Sequence, residues 1–165
     1  MELGYAVIDS PVGRLFIGVD DDNQLTRLSF HSSESVLGEM EKKGFSLVSD
    51  RARTEPVVRQ LEAYFAGDLT EFQIPLKPLG TPFQRDVWQA LQKIPFGICK
   101  TYGEIANSLG NPGASRAVGL ANNRNPIAIV IPCHRVIGNN GHLTGFGGGT
   151  DTKRQLLVHE GYFLI

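Results

Sequence analysis

Cysteine is scarce in this chain, at two of 165 residues, Cys99 and Cys133. Two thiols make no disulfide framework, and without a histidine at ligand spacing they make a poor zinc site, so both are expected free and neither metal nor cofactor is expected. Long apolar runs are missing too. None approaches the ~18 residues of a membrane span, and the N-terminus has neither the basic nor the apolar region of a signal peptide. The expectation is a cytoplasmic protein with no membrane partner. There is no internal repeat, no low-complexity tract and no GxxxxGK[ST] loop for phosphates.

Net charge is nearly absent, at -1, but it sums two unlike halves. Residues 1–80 hold 8 Lys+Arg and 13 Asp+Glu, a net of -5, and residues 81–165 hold 8 and 4, a net of +4. A basic half beside an acidic one hints at nucleic-acid binding by the basic part. The pattern divides at the same place. Three short strands, about 3–9, 13–20 and 25–30, are separated by Pro11-Val12-Gly13 and by Asp20-Asp21-Asp22-Asn23. A helix follows at about 55–66, with Val57, Val58, Leu61, Tyr64 and Phe65 on one face and Gly67 placed to stop it. Ile74 to Gly80 has the proline and glycine content of a linker. The expected organisation is an α/β domain over 1–76, a linker over 77–81 and a mainly helical domain over 82–165.

The second domain opens with Thr81-Pro82-Phe83-Gln84, a capping box with proline at the first helical position. Phe83, Val87, Ala90, Leu91 and Ile94 form the helical stripe, with Trp88 expected at its edge. A second capping box, Thr101-Tyr102-Gly103-Glu104, starts a short helix carrying Ile105, Ala106 and Leu109 inward. After Gly110-Asn111-Pro112-Gly113 a third helix carries Ala114, Ala117, Val118 and Ala121 inward. Two short helices about a glycine-containing turn read as helix-turn-helix. The outward face of the third helix offers Ser115, Arg116, Gly119, Asn122 and Asn123. It suits close approach of a nucleic-acid backbone better than reading of base edges, for which long side chains are needed. From spacing alone Arg116 is equally an ordinary exposed arginine.

The chemistry is concentrated in Pro126-Ile127-Ala128-Ile129-Val130-Ile131-Pro132-Cys133-His134-Arg135-Val136. The apolar run between prolines fits a covered strand, which Pro132 stops because it has no N–H to donate. Cys133 then sits on the bend out of the core. A thiol beside an imidazole and an arginine can be held as reactive thiolate; a packed, inert cysteine is the alternative. Gly138 to Gly149 is too rich in glycine for regular structure and reads as a loop able to wall a pocket. A last helix, about 151–160, carries Leu156 and Leu157 inward. Glu160 at its C-terminal end is unfavourable against the helix dipole unless it has a partner.

Pro132-Cys133-His134-Arg135-Val136 resembles the active-site signature of the O6-alkylguanine-DNA alkyltransferases, and of their bacterial Ogt-like members. The resemblance extends through Thr81 to Gln84, Tyr102-Gly103-Glu104, Arg116-Ala117-Val118-Gly119, Asn125-Pro126, Leu143-Thr144-Gly145, Leu156-Leu157 and Glu160-Gly161. It covers residues 81–163 closely and the N-terminal part more loosely. The fold it implies is an α/β N-terminal domain resembling ribonuclease H, plus a mainly α C-terminal domain with a winged helix-turn-helix. The activity it implies is direct-reversal repair. An alkyl group on guanine O6, and on thymine O4, passes irreversibly to Cys133 after the base is flipped out of the duplex. By resemblance His134 is the water-linked base, Glu160 orients it, Asn125 braces the turn and Tyr102 protonates the leaving guanine. Arg116 fills the stack, with Ser115, Ala117, Gly119, Tyr102 and Arg135 along the DNA. Val136, Phe146, Gly147 and Gly148 line the pocket.

Phe146 stands where the family usually has tyrosine, Asn123-Arg124 replaces a glycine-containing pair, and the zinc residues of some N-terminal domains are not evident. The partner implied is double-stranded DNA carrying O6-alkylguanine, met by a monomer; assembly of several copies on DNA is left open. Two other classes compete. A thiol hydrolase would use Cys and His but leave the helix-turn-helix idle, and a non-repairing winged-helix DNA-binding protein would leave the Cys-His pair idle.

Overall fold

The computed structural model describes residues 1–30, 33–143 and 149–162. Two compact units divide the chain, Met1–Pro78 and Leu79–Ile165. In the first, β1 (Glu2–Ile8), β2 (Leu15–Val19) and β3 (Leu25–Ser29) form an antiparallel meander. A fourth strand, β4 (Ser46–Ser49), pairs parallel to β1, so the sheet order is β3-β2-β1-β4. The parallel pairing needs a crossover, and α1 (Ser33–Lys42) supplies it. Val36 and Met40 of α1 pack on Leu3 and Phe16.

Helix α2 (Arg51–Phe65) packs against β1 and β2. Asp50 caps it by accepting from Arg53 N. It buries Thr54, Val57, Leu61 and Tyr64, while Val58 and Phe65 are half-buried. Its end follows the Schellman pattern: Gly67 takes φ 84°, its N–H bonds Tyr64 O, and Asp68 N–H bonds Ala63 O. The expected linker begins on the sheet. Leu25 N donates to Pro75 O at 2.8 Å and Lys77 N to Leu25 O at 2.9 Å, so residues 75–77 run along β3 as an extra edge.

In the second unit α3 (Pro82–Leu91) begins with the reciprocal capping box of Thr81 and Gln84. Trp88 does not lie at the edge as expected. It is 1 % exposed, and its indole Nε1 donates to Ala121 O at 2.8 Å. The ring packs against Gly80, where a Cβ would collide with it. A second capping box, Thr101 with Glu104, starts α4 (Tyr102–Ser108). Gly110 at φ 76° turns the chain towards α5 (Ser115–Asn123).

Ala117 and Asn122 exchange the places expected of them. Ala117 is exposed, and Asn122 is 1 % exposed. The inward stripe of α5 is therefore Ala114, Val118, Ala121 and Asn122. Strands β5 (Lys100–Thr101) and β6 (Val136–Ile137) form a short parallel pair, and α6 (Thr150–His159) follows, burying Lys153, Leu156 and Leu157.

Residues 127–131 are not a strand. Ala128 to Val130 form a turn, and Ile129 takes φ 70°, the left-handed region that a β-branched residue rarely enters. The run is buried as its composition demands, with Ile127, Ala128, Ile129 and Ile131 at 7 % exposure or less. Two backbone bonds close within the run, Val130 N on Ala128 O and Ile131 N on Ile127 O.

Candidate functional site

Asn125 gives that buried turn its shape. Its Oδ1 accepts from Ile127 N at 3.0 Å and its Nδ2 donates to Ile131 O at 2.8 Å, bridging the two ends of the loop. Two side-chain bonds at the base over-determine the backbone, which is what a strained residue such as Ile129 needs in order to persist. Pro132 then leads into a single 3-10 turn, Cys133–Arg135, closed by Arg135 N on Pro132 O at 2.9 Å. Asn122 on α5 donates from Nδ2 to Cys133 O at 3.3 Å. The carbonyl of the thiol residue is thus bonded directly to the third helix.

Cys133 is 5 % exposed. Burial pushes its thiol up to about 11, while a hydrogen bond from Asn125, the charge of Lys153 and nearby backbone groups act the other way. The resting group at neutral pH is therefore the thiol. Cys99, also free, is pushed up to about 11 by burial.

His134 and Glu160 are fully buried side chains in contact, Nε2 to Oε2 at 2.7 Å. Arg135 turns to the same carboxylate. Its Nε donates to Oε1 at 2.8 Å and its Nη2 to Oε2 at 3.0 Å, while Nη1 bonds Ile94 O. Burial raises the Glu160 carboxyl, but the bonds from His134 and Arg135 outweigh it and hold it well below the usual carboxylate range. Burial lowers His134, and Glu160 only partly offsets that. Two protonation states follow. Glu160 is ionised and can only accept, so a neutral His134 carries its hydrogen on Nε2. Nδ1 is left as a buried lone pair with no hydrogen-bond partner among the described residues.

Arg135 is thus a correction. Expected along the DNA, it is 6 % exposed and its guanidinium is committed to Glu160 and Ile94. Sequence reasoning also missed Lys153, at 0 % exposure, and Asn122. Lys153 is pushed down to about 8 by burial, with the charges of Cys133 and Cys99 acting the other way. Position could have revealed both. Lys153 lies on the Leu156, Leu157 and Glu160 face of α6, and Asn122 lies four residues after Val118.

The helix-turn-helix surface is open. Tyr102, Ser115, Arg116, Gly119, Leu120, Asn123 and Asn139 line a cavity of about 490 Å3. Tyr102 begins α4 and its ring lies over Gly119, where an added Cβ would be 3.9 Å from it. Asn139 fixes the start of α4 by accepting from Gly103 N at 3.2 Å. Arg116 and Ala117 are exposed, Ser115 and Gly119 half-buried. Val136 is fully buried in β6. Phe146, Gly147 and Gly148, with Thr144 and Gly145, lie outside the described residues.

No helix among the described residues is long and apolar enough to cross a membrane. The ribonuclease-like domain of 6-O-methylguanine DNA methyltransferase matches residues 3–78, and the DNA binding domain of the same family matches residues 82–162. A methylated-DNA--protein-cysteine methyltransferase of Methanosarcina acetivorans is 50 % identical over 157 residues, covering 95 % of this chain and 97 % of that one. Its namesake in Mycobacterium tuberculosis is 49 % identical over 156 residues, covering 94 % and 91 %. The crystal structure of Mycobacterium tuberculosis OGT in complex with DNA superposes with a TM-score of 0.83 at 48 % identity, over 97 % of this chain and 92 % of that one. With both halves matched in order and half of the residues shared with whole relatives, this chain belongs to the 6-O-methylguanine DNA methyltransferase family.

Proposed function

We infer that this chain repairs alkylated DNA by direct reversal, with Cys133 as the acceptor of an alkyl group from O6 of guanine and, by the same displacement, from O4 of thymine. The observation that carries the reading is the buried set Cys133, His134, Glu160 and Arg135, in which an ionised carboxylate leaves the neighbouring imidazole neutral with Nδ1 free to take a proton. This is the nucleophile, base and orienter arrangement of activated thiols. A thiol held near 11 stays protonated and inert until a substrate arrives, and the base beside it then decides the rate.

Cys133 Sγ forms a bond to the alkyl carbon as the carbon–O6 bond breaks. The thiol proton passes through a water to His134 Nδ1, and the imidazolium is stabilised by Glu160. Tyr102 supplies a proton to the leaving guanine and is reprotonated, through solvent, by the proton that His134 took from the thiol, so the net product is guanine and a thioether. A thioether has no bond that water can hydrolyse here. The protein acts once.

Base flipping is required because the reacting atom lies inside the duplex, and unstacking costs a few kcal/mol. Arg116, exposed on α5, offsets part of that cost by entering the vacated stack, while Ser115, Ala117 and Gly119 let the backbone approach. The partner is double-stranded DNA carrying the lesion, bound by a monomer in the cytoplasm, where free thiols persist. A non-repairing DNA-binding protein would have no use for a catalytic set of this kind beneath its recognition helix.

The test is stoichiometry. Product plotted against protein should rise with a slope no greater than one, and Cys133→Ser should give no product while still binding the duplex. Repeated turnover by one molecule would overturn the reading.

A further inference from the structure

Leu120 stands on α5 one turn beyond Arg116 and is 63 % exposed, more than any other large apolar side chain among the described residues. An isolated surface leucine is ordinary. This one is not isolated from function, because it lines the same cavity as Arg116, Tyr102 and Gly119. Its outward neighbours Ser115, Ala117 and Gly119 are small, so Arg116, Leu120 and Asn123 stand clear of the helix on that face, and Leu120 is the apolar one of the three. An arginine suits a stack emptied of its base. A leucine beside it has nothing to gain from phosphate and much to gain from sugar and from the exposed face of an unpaired base.

Resting on the repair reading above, we propose that Leu120 is a positioning residue that packs against the deoxyribose and base face flanking the gap that Arg116 fills. It holds the opened duplex in place while the nucleotide is outside the stack. Apolar wedges of this size are the common device by which proteins stabilise an unstacked step. The partner is the one the family already binds, and the site is continuous with the Arg116 surface. What is new is an apolar contact at the opened step, which adds grip without adding charge.

The experiment uses the full chain with Leu120→Ala, Leu120→Ser and Leu120→Met. Repair of O6-methylguanine in duplex DNA at sub-saturating protein should fall about tenfold for Ala and Ser, the value of one leucine side chain taken from water, and be largely kept by Met. Consumption of free O6-benzylguanine should change by less than about twofold, as for a surface substitution. Two further readouts separate this role from a structural one. In a Cys133→Ser background, the fluorescence of 2-aminopurine placed next to the lesion should lose its protein-induced rise with Leu120→Ala. The salt dependence of DNA binding should keep its slope, because no phosphate contact is removed.

Equal duplex rates for wild type and Leu120→Ala would overturn the proposal, as would equal losses on duplex and free base. If the wild-type protein consumed neither substrate, the alkyl-transfer reading would fail first, and the two failures are thereby distinguished.

Discussion

Replacing Glu160 by glutamine removes one charge and almost no volume, yet it should be one of the most costly single changes in this protein. The carboxylate accepts two bonds from Arg135 and contacts His134 at 2.7 Å, and its side chain is fully buried. Glutamine keeps one acceptor oxygen, so one of the Arg135 bonds and the bond from Arg135 to Ile94 O survive. The guanidinium, only 8 % exposed, loses its counter-charge. Leaving one partner of a buried pair unpaired costs about 3–5 kcal/mol, and the surviving bonds place this case near the lower end. Domains of this kind hold about 5–15 kcal/mol, so the variant should still fold at low temperature.

Urea unfolding of wild type, Glu160→Gln, Arg135→Met and the double variant measures the cost and the coupling between the two residues. The double variant should recover a large part of the loss, since no unpaired charge then remains buried. The pH dependence follows in sign. His134 is lowered by burial, so the unfolded chain takes up its proton first and stability falls as pH drops below about 6.5. Glu160 is lowered as well, so its contribution is present above about 4.3 and is lost as pH falls further. Glu160→Gln should remove the second loss and keep the first. Single-turnover repair by the variant should fall severalfold at neutral pH, because His134 loses the group that supports its basicity, and recover partly as pH approaches that of the thiol. A stability loss under about 1 kcal/mol, the scale of a surface ion pair, would refute the buried-charge reasoning.

Lys153→Met removes the buried cation that favours the Cys133 thiolate. The pH profile for free O6-benzylguanine should shift to higher pH, because the Cys133 thiolate then forms without that charge to lower its pKa. At Ile129 the usual order of core substitutions should reverse. Ile129→Gly should be less destabilising than Ile129→Ala by about 1 kcal/mol in thermal or urea unfolding, because only glycine escapes the strain of φ 70°.

The parts of the fold legible in the sequence are those specified by local chemistry. Thr81 with Gln84 and Thr101 with Glu104 form the two capping boxes that their spacing predicts, and Gly67 stops α2 in the left-handed conformation only glycine takes without cost. Strand β4 is opaque for the opposite reason. It is four residues long, mostly exposed and paired to a strand more than forty residues earlier in the chain, so neither alternation nor a turn marks it. The run Ile127 to Ile131 announces burial correctly but not conformation, because an apolar segment looks the same as a strand or as a loop stitched by one asparagine.

In the site, the resemblance supplied the residues and not their geometry. Arg135 looks like a basic residue near DNA until the carboxylate of Glu160, 25 residues away, claims it. Lys153 and Asn122 carry no motif. Each occupies an inward helical position that a periodicity count passes over because the residue is polar.

The most direct test of the account is the mass of the protein and of its peptides after reaction with duplex DNA containing a single O6-methylguanine. The account predicts one added methyl per molecule, carried on the peptide containing Cys133, with unmodified guanine left in the DNA and no further gain on a second addition of substrate. An unmodified Cys133 peptide beside repaired DNA, or a methyl on Cys99 instead, would contradict it.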